Sequence, residues 1–362
     1  MRRRTAFRND RLAQKVAGAA SAVWWTAAAA ATRRLTNPGS SKLDLKSEPP
    51  PAGFVRGAWR EAFDKDVEAV GEGLLPPRLP LAFDAIGVVP RITDLIRDAR
   101  AVEQRRRRRG AVEARRNLSL GRGYPDYYRR NFHFQSGGWF TPESARRYED
   151  QVELLFAGAA GPMRRSALAL LASAWRDKDH RGLTILDLAC GAGGCLVDLE
   201  ACWPRACLIG LDLSAPYLAE AGRRAAAGRL VQAKAERLPL SDAALDAITC
   251  IYLFHELPSR VRTTVAGEIA RTLKPGGHLA FADALQPSDE PRLAQLLEAF
   301  PHYFHEPFFA SYARADLAAL FSRAGLRLLV EDRSFLTKAM LFEKPSRLRR
   351  RRGPSARSRK AA

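Results

Sequence analysis

The residues most able to do chemistry begin with a carboxylate beside a glycine turn. Asp187 lies at the end of the apolar run Thr184 to Leu188, and Gly191, Gly193 and Gly194 follow at once. Such a run reads as a buried parallel strand. Gly191 and Gly193 let the backbone turn tightly and lie against a ligand with no Cβ in the way. The helix expected from Gly194 to Trp203 aims its free N–H groups at that turn. A second apolar run, from Ala206, ends in Asp212, a carboxylate placed to accept from ribose hydroxyls. Together these make a cradle for a nucleotide cofactor. It is not of the dinucleotide kind, because the third glycine of that fingerprint would stand where this chain has Leu196. Farther on, His255 and Glu256 follow another apolar run, while His302, Tyr303, His305 and Glu306 crowd one aromatic segment. Such side chains exchange protons or bind polar groups. No rigid spacing such as His-Glu-x-x-His accompanies them, so no metal ligand is assigned.

The run Asp187-Leu188-Ala189-Cys190-Gly191-Ala192-Gly193 resembles the first motif of class I S-adenosylmethionine (SAM) methyltransferases. The likeness is to the small-molecule group that includes ubiquinone and menaquinone methyltransferases (methyltransferase type 11). Ala189 stands where that family often has its first glycine. Lys234-Ala235-Glu236-Arg237-Leu238-Pro239-Leu240 is similar to the family's Gly-Asp-Ala-Glu-x-Leu-Pro-Phe segment, which reads the adenine ring. Lys234 replaces the usual aspartate, and an ammonium cannot accept from the adenine amine. Recognition then falls on the backbone near Ala235 or on Glu236.

The resemblance is strong over 183–344 and looser over 124–180. It implies SAM as cofactor, held by Asp187, Ala189, Gly191, Gly193, Asp212, Leu213, Ala235, Glu236 and Tyr252. It implies in-line methyl transfer to a small apolar or aromatic molecule, with a neutral His255 as the base that takes the acceptor's proton. His133, Trp139, His302, Tyr303, His305 and Glu306 are then the acceptor-side residues. Two alternatives stay open: an RNA methyltransferase recruited by basic tails, and a non-catalytic SAM-binding protein. Against RNA stands the lack of an Asn/Asp-Pro-Pro-aromatic motif after the fourth strand.

To hold these residues the chain must supply an α/β fold. The resemblance implies a Rossmann-like seven-stranded sheet, mostly parallel with an antiparallel last strand, here with an N-terminal helical extension. Beyond the first two strands, Arg229 to Ala233, Leu245 to Leu253 and His278 to Asp283 read as the next three, with Leu326 to Val330 and Phe335 to Phe342 closing the sheet. Leu273 to Gly277 reads as a turn before the fifth strand. Ser214 caps a helix to about Gly228, and another helix covers 259–272. Thr141, Pro142 and Glu143 make a good helix start, leading to Phe156, and a further helix runs from Pro162 to Trp175. Before them, the aromatics of Tyr124 to Trp139 interleave with His, Gln and Gly. That leader reads either as a lid over the substrate or as a surface loop pinned by its aromatics.

The chain is strongly basic, with a formal net charge of +20 over 362 residues. Segments 1–36, 105–116 and 345–362 carry +7, +6 and +8, which leaves the remainder close to neutral. Basicity therefore belongs to appendages, and such runs are usually solvated; attraction to an anionic membrane surface or to RNA is the other reading. We divide the chain into a basic leader (1–36), a linker with a loosely specified helical extension (37–120), pre-sheet helices with the leader loop (121–180), the cofactor domain (181–344) and a basic tail (345–362). The uncharged, alanine-rich span 16–32 is short for a membrane crossing. Trp24 and Trp25 suit an interfacial helix, and the arginines also fit a transit peptide. The expected location is cytoplasmic, peripheral to an anionic membrane if the helix is interfacial, or organellar if the leader is a transit peptide. In the extension, Trp59, Phe63, Val67 and Val70 would share one face of a helix over 54–73. The five cysteines lack paired metal spacing and read as small buried hydrophobes. A small-molecule acceptor is the expected partner, and nothing in the sequence fixes an oligomeric state.

Overall fold

The computed structural model describes residues 2–36, 43–78, 85–108, 123–226 and 228–346. Residues 37–42, Pro80, the arginines from 109 onward in the first basic run, and the tail from 347 lie outside the described residues. In chain order the helices and strands are α1 (Arg2–Thr36), α2 (Phe54–Gly71), α3 (Ala85–Arg108), α4 (Pro142–Leu155), α5 (Ala160–Ala174), β1 (Thr184–Leu188), α6 (Gly194–Cys202), β2 (Cys207–Asp212) and α7 (Ala215–Arg224). They continue with β3 (Arg229–Gln232), β4 (Leu245–Ile251), α8 (Ser259–Thr272), β5 (Leu273–Ala284), α9 (Ala294–Tyr303), α10 (Phe309–Tyr312), α11 (Leu317–Arg323), β6 (Arg327–Ser334) and β7 (Thr337–Glu343).

Seven strands form one sheet in the order β3-β2-β1-β4-β5-β7-β6. All neighbours are parallel except β7, which runs antiparallel to both β5 and β6. The Rossmann-like reading thus holds. β1 is buried on both faces, because a parallel sheet is covered on both sides. Leu186 and Leu188 join the core beneath α8 with Ile248, Val265, Ile269 and Phe281, whereas Ile185 joins Leu168, Leu171, Trp175 and Leu199 on the other face.

Several boundaries differ from the sequence reading. Leu273 to Gly277, expected as a turn, belongs to β5: its ladder with β4 pairs Leu245 with Leu273, then jumps to Ala247 with His278. The helix after Ser214 ends at Arg224, short of Gly228.

The extension is more firmly built than its composition foretold. Asp66 of α2 and Arg165 of α5 form an ion pair at 2.7 Å with both side chains buried. Gln14 of α1 donates to the same carboxylate and accepts from the Arg78 N–H at 2.6 Å. Ala69, Val70 and Leu75 pack into the core of α5 and the sheet. The described part of the linker docks too, with Lys46 and Ser47 N–H donating to Glu298. Trp25, expected at a membrane interface, is instead buried. Among the described side chains of α1, the large apolar ones left exposed are Leu12, Val16 and Val23. Among the described residues, no helix is long and apolar enough to cross a membrane.

Candidate functional site

The turn after β1 is built by backbone pairing with β2. Cys190 N–H donates to the Leu211 carbonyl at 3.0 Å. Gly191 N–H donates to one oxygen of Asp212 at 2.9 Å, and Ser214 N–H to the other at 2.8 Å. Asp212 thus braces both loops. Burial raises its pKa while those N–H groups pull it down. Ala189 and Gly191 both take left-handed φ, at 59° and 53°. Gly193 plays a different part from the one expected. A Cβ there would stand 2.9 Å from Ala221 Cα, so this glycine lets α7 pack against the start of α6, and it is not among the residues lining the cavity at this edge.

An open cleft of about 790 Å³, counting the solvent at its mouth, lies at this edge of the sheet. Ala189, Gly191, Asp212 and Leu213 line one side, and Ala235, Glu236 and Tyr252 another. Glu236 accepts from Tyr127 Oη at 2.5 Å, whereas Lys234 is exposed. Asp187, expected beside the ligand, is not among the lining residues. It is 1% exposed and accepts from Thr249 Oγ1 at 2.7 Å, and its other oxygen has no hydrogen-bond partner among the described residues. Burial pushes its carboxyl up to about 7 against the pull of Thr249 and Cys195.

The leader closes over this cavity as a pinned loop. Buried Gln135 donates to the Gly138 carbonyl, Ser144 Oγ and Tyr217 Oη at 2.8–3.0 Å. The Arg105 guanidinium of α3 donates to the Phe134 carbonyl at 3.1 Å. Phe132, Trp139, Tyr148 and Tyr217 pack together above the glycine turn. Trp139, expected on the acceptor side, therefore lines the first cavity. Its buried Nε1 has no hydrogen-bond partner.

A second cavity adjoins the first and shares Tyr148, Tyr252 and Glu256 with it. Its remaining wall is mostly apolar and includes Phe156, Leu297, Phe300 and Phe309, together with His133 and His255. His255 Nδ1 lies 2.6 Å from Asp283 Oδ1, and Asp283 also accepts from the Phe254 N–H at 2.8 Å. Burial alone would lower the His255 pKa, but Asp283 outweighs it and carries it up to about 10. That rise favours the proton-bearing ring over the neutral base expected from the sequence. Around it, burial raises the Glu256 and Glu306 carboxyls, while burial and the neighbouring histidines lower His133 to about 3.

The segment 300–309 divides. Glu306 is buried and lies against His133, with Oε1 3.3 Å from Nδ1. His302 and Tyr303 are exposed, because α9 continues through Pro301 and turns both outward; the expectation that they line the acceptor cavity fails. Tyr303 instead stacks under Arg106 at 5.4 Å. His305 is half-buried against Phe134, and its pKa falls to about 4 through burial and the nearby Arg130. It lines neither cavity. Tyr148, Tyr217 and Asp283 escaped the sequence reading. Asp283 left a signal, since it is a third acid near the end of a parallel strand, like Asp187 and Asp212.

The family described as "Methyltransferase domain" matches residues 185–277. Three curated relatives are similar to the chain. A malonyl-[acyl-carrier protein] O-methyltransferase of Enterobacter lignolyticus is 36% identical over 43% of this chain and 59% of its own length. A demethylmenaquinone methyltransferase of Thermus thermophilus is 34% identical over 39% and 62%. An uncharacterized methyltransferase of Synechocystis is 31% identical over 41% and 68%. The chain thus spans about six-tenths of the length of the first of these. Among solved structures, a SAM-dependent methyltransferase from Aquifex aeolicus is 15% identical over 57% of this chain and 99% of its own, with a TM-score of 0.40.

Proposed function

The chain belongs to the class I methyltransferase-domain family, and on that premise we propose that it carries a methyl group from SAM to a small acceptor of apolar or aromatic character. The observation that carries the reading is the pair of adjoining cavities with Tyr148, Tyr252 and Glu256 as their common wall. One cavity would hold the donor and the other the acceptor.

The residues of the first cavity fit SAM. Asp212 keeps acceptor capacity for ribose hydroxyls beyond the two N–H bonds it already takes. Glu236 offers the acceptor for an exocyclic amine that Lys234 cannot. Trp139 Nε1 is a buried donor in search of a partner. When bound, SAM supplies a methyl carbon activated by the adjacent sulfonium. The protein's task is then alignment, which can be worth several kcal/mol. Aromatic walls would orient a flat or apolar acceptor and keep water from it. Asp283 holds the His255 ring in one orientation at the edge of the second cavity, so His255 would position the acceptor by donating a hydrogen bond to it.

Calorimetry with SAM, S-adenosylhomocysteine and NAD on the full chain tests this reading. Saturable binding of both adenosyl compounds, with none of NAD, is the expected result. Preference for NAD, or no binding of SAM at millimolar concentration, would end it.

A further inference from the structure

We infer that the wall of the second cavity holds one divalent first-row transition cation, with His133, Glu256 and Glu306 as its ligands. One donor atom from each residue lies within 4.8 Å of the other two. His133 Nδ1 is 3.3 Å from Glu306 Oε1, and its Nε2 is 3.8 Å from Glu256 Oε1. One ion takes only one of those two ring nitrogens, so the imidazole must turn to bring that nitrogen toward both carboxylates; a tetrahedral site with bonds of about 2.1 Å spaces its donors roughly 3.4 Å apart.

Glu306 supplies the second, independent observation. Its side chain has 0% exposure to solvent. Neither of its oxygens takes part in a hydrogen bond among the described residues. A buried carboxylate with no donor is expensive, and buried polar groups are nearly always partnered. Here Oε1 sits 3.3 Å from an imidazole nitrogen, and one oxygen lies within 4.8 Å of a second carboxylate, an arrangement that a cation satisfies. The rest of the fold keeps the three together. His133 has left-handed φ of 54°, between the buried rings of Phe132 and Phe134. Glu256 lies in the short turn after β4, and Glu306 follows α9.

One imidazole and two carboxylates make a donor set of intermediate hardness. It suits Mn²⁺, Fe²⁺ or Zn²⁺, and lacks the thiolate that would select Cu⁺. Three protein ligands leave a position open, as in catalytic sites. His133 and Glu256 both line the second cavity, so the open position faces the space where an acceptor's oxygen or nitrogen would enter. The inference goes beyond methyl transfer and does not require it.

The untagged full-length chain, stripped with a chelator and dialysed, is titrated calorimetrically with Zn²⁺ and separately with Mn²⁺. Co²⁺ is added to a third sample and followed by its visible absorption. The expected result is one ion per chain for at least one of the three. Glu306→Gln and His133→Ala should each weaken binding at least tenfold. Glu256→Gln, at a partly exposed position, should do the same and stands in if a buried variant misfolds; far-UV circular dichroism and the urea midpoint report folding. His302→Ala, on the outer face of α9, should leave binding unchanged. Absence of stoichiometric binding for all three ions overturns the assignment. So does binding that survives both glutamine variants, or binding that is lost in His302→Ala. SAM titration of the same samples is read separately, so failure there counts against the methyl-transfer reading and not against the cation site.

Discussion

Asp66 and Arg165 meet at 2.7 Å with side-chain exposures of 3% and 1%, from helices 99 residues apart in sequence. The pair fastens the N-terminal helices to the layer that covers the sheet. Removing Asp66 leaves the buried guanidinium the more distant Asp198 carboxylate at 3.7 Å and the Pro76 carbonyl, and breaking such a buried pair costs up to about 3–5 kcal/mol. Asp66→Ala should therefore lower the free energy of unfolding by that order, as read from urea denaturation. A chain lacking residues 1–120 should be destabilised in the same way, and would expose Leu168, Leu171 and Trp175 where α2 had covered them. A variant as stable as the parent would show the pair to be dispensable.

Asp212 binds two loop N–H groups and lines the first cavity. Asp212→Ala should weaken SAM by at least about 1.5 kcal/mol for each ribose bond lost, or roughly tenfold. Calorimetry measures this directly, and unchanged affinity would remove Asp212 from the cofactor site.

Asp187 makes stability depend on pH in an unusual direction. Its folded-state pKa is raised to about 7, against an unfolded value near 3.9. The folded chain therefore binds the extra proton between those values. The contribution to stability is whole below about pH 4 and is lost as pH rises toward 7, at up to about 1.4 kcal/mol per pH unit. Above that it is flat. In Asp187→Asn this slope should vanish, so parent and variant urea midpoints should converge or diverge steadily across pH 4–7 and run parallel above it. Parallel curves throughout would show that Asp187 titrates normally.

Ala189 has φ of 59° at a turn where glycine would be unstrained. The left-handed conformation costs an L-residue about 1–2 kcal/mol, and glycine's greater freedom when unfolded returns about 0.4–1 kcal/mol. Ala189→Gly should then stabilise the chain by about 0.5–1 kcal/mol without weakening SAM. A lower urea midpoint would mean that the Ala189 methyl packs usefully against the cavity.

The cradle was legible because its signals are local. A strand, a turn and an acid occur within a dozen residues, and their order alone puts Asp212 beside Gly191. The packing role of Gly193 was not legible, because the clash that reserves it for glycine comes from Ala221 on another helix. The pairing of His133 with Glu306 joins parts of the chain that no periodicity links. His302 was misassigned because α9 runs through Pro301 and turns it outward. The extension looked loose because part of its anchoring is polar: Asp66 sits on the buried side of α2, where a search for apolar stripes does not look.

The common wall of the two cavities has a consequence for divergence. The stretch shared with the family, 185–277, contributes Tyr252, His255 and Glu256 to the second cavity. His133, Tyr148 and Phe156 come from before it, and Leu297, Phe300 and Phe309 from after it. Tyr128, Phe132 and Trp139 reach over the first cavity from the same upstream flank. Exchanging the flanks would therefore redraw most of the second wall and only the roof of the first.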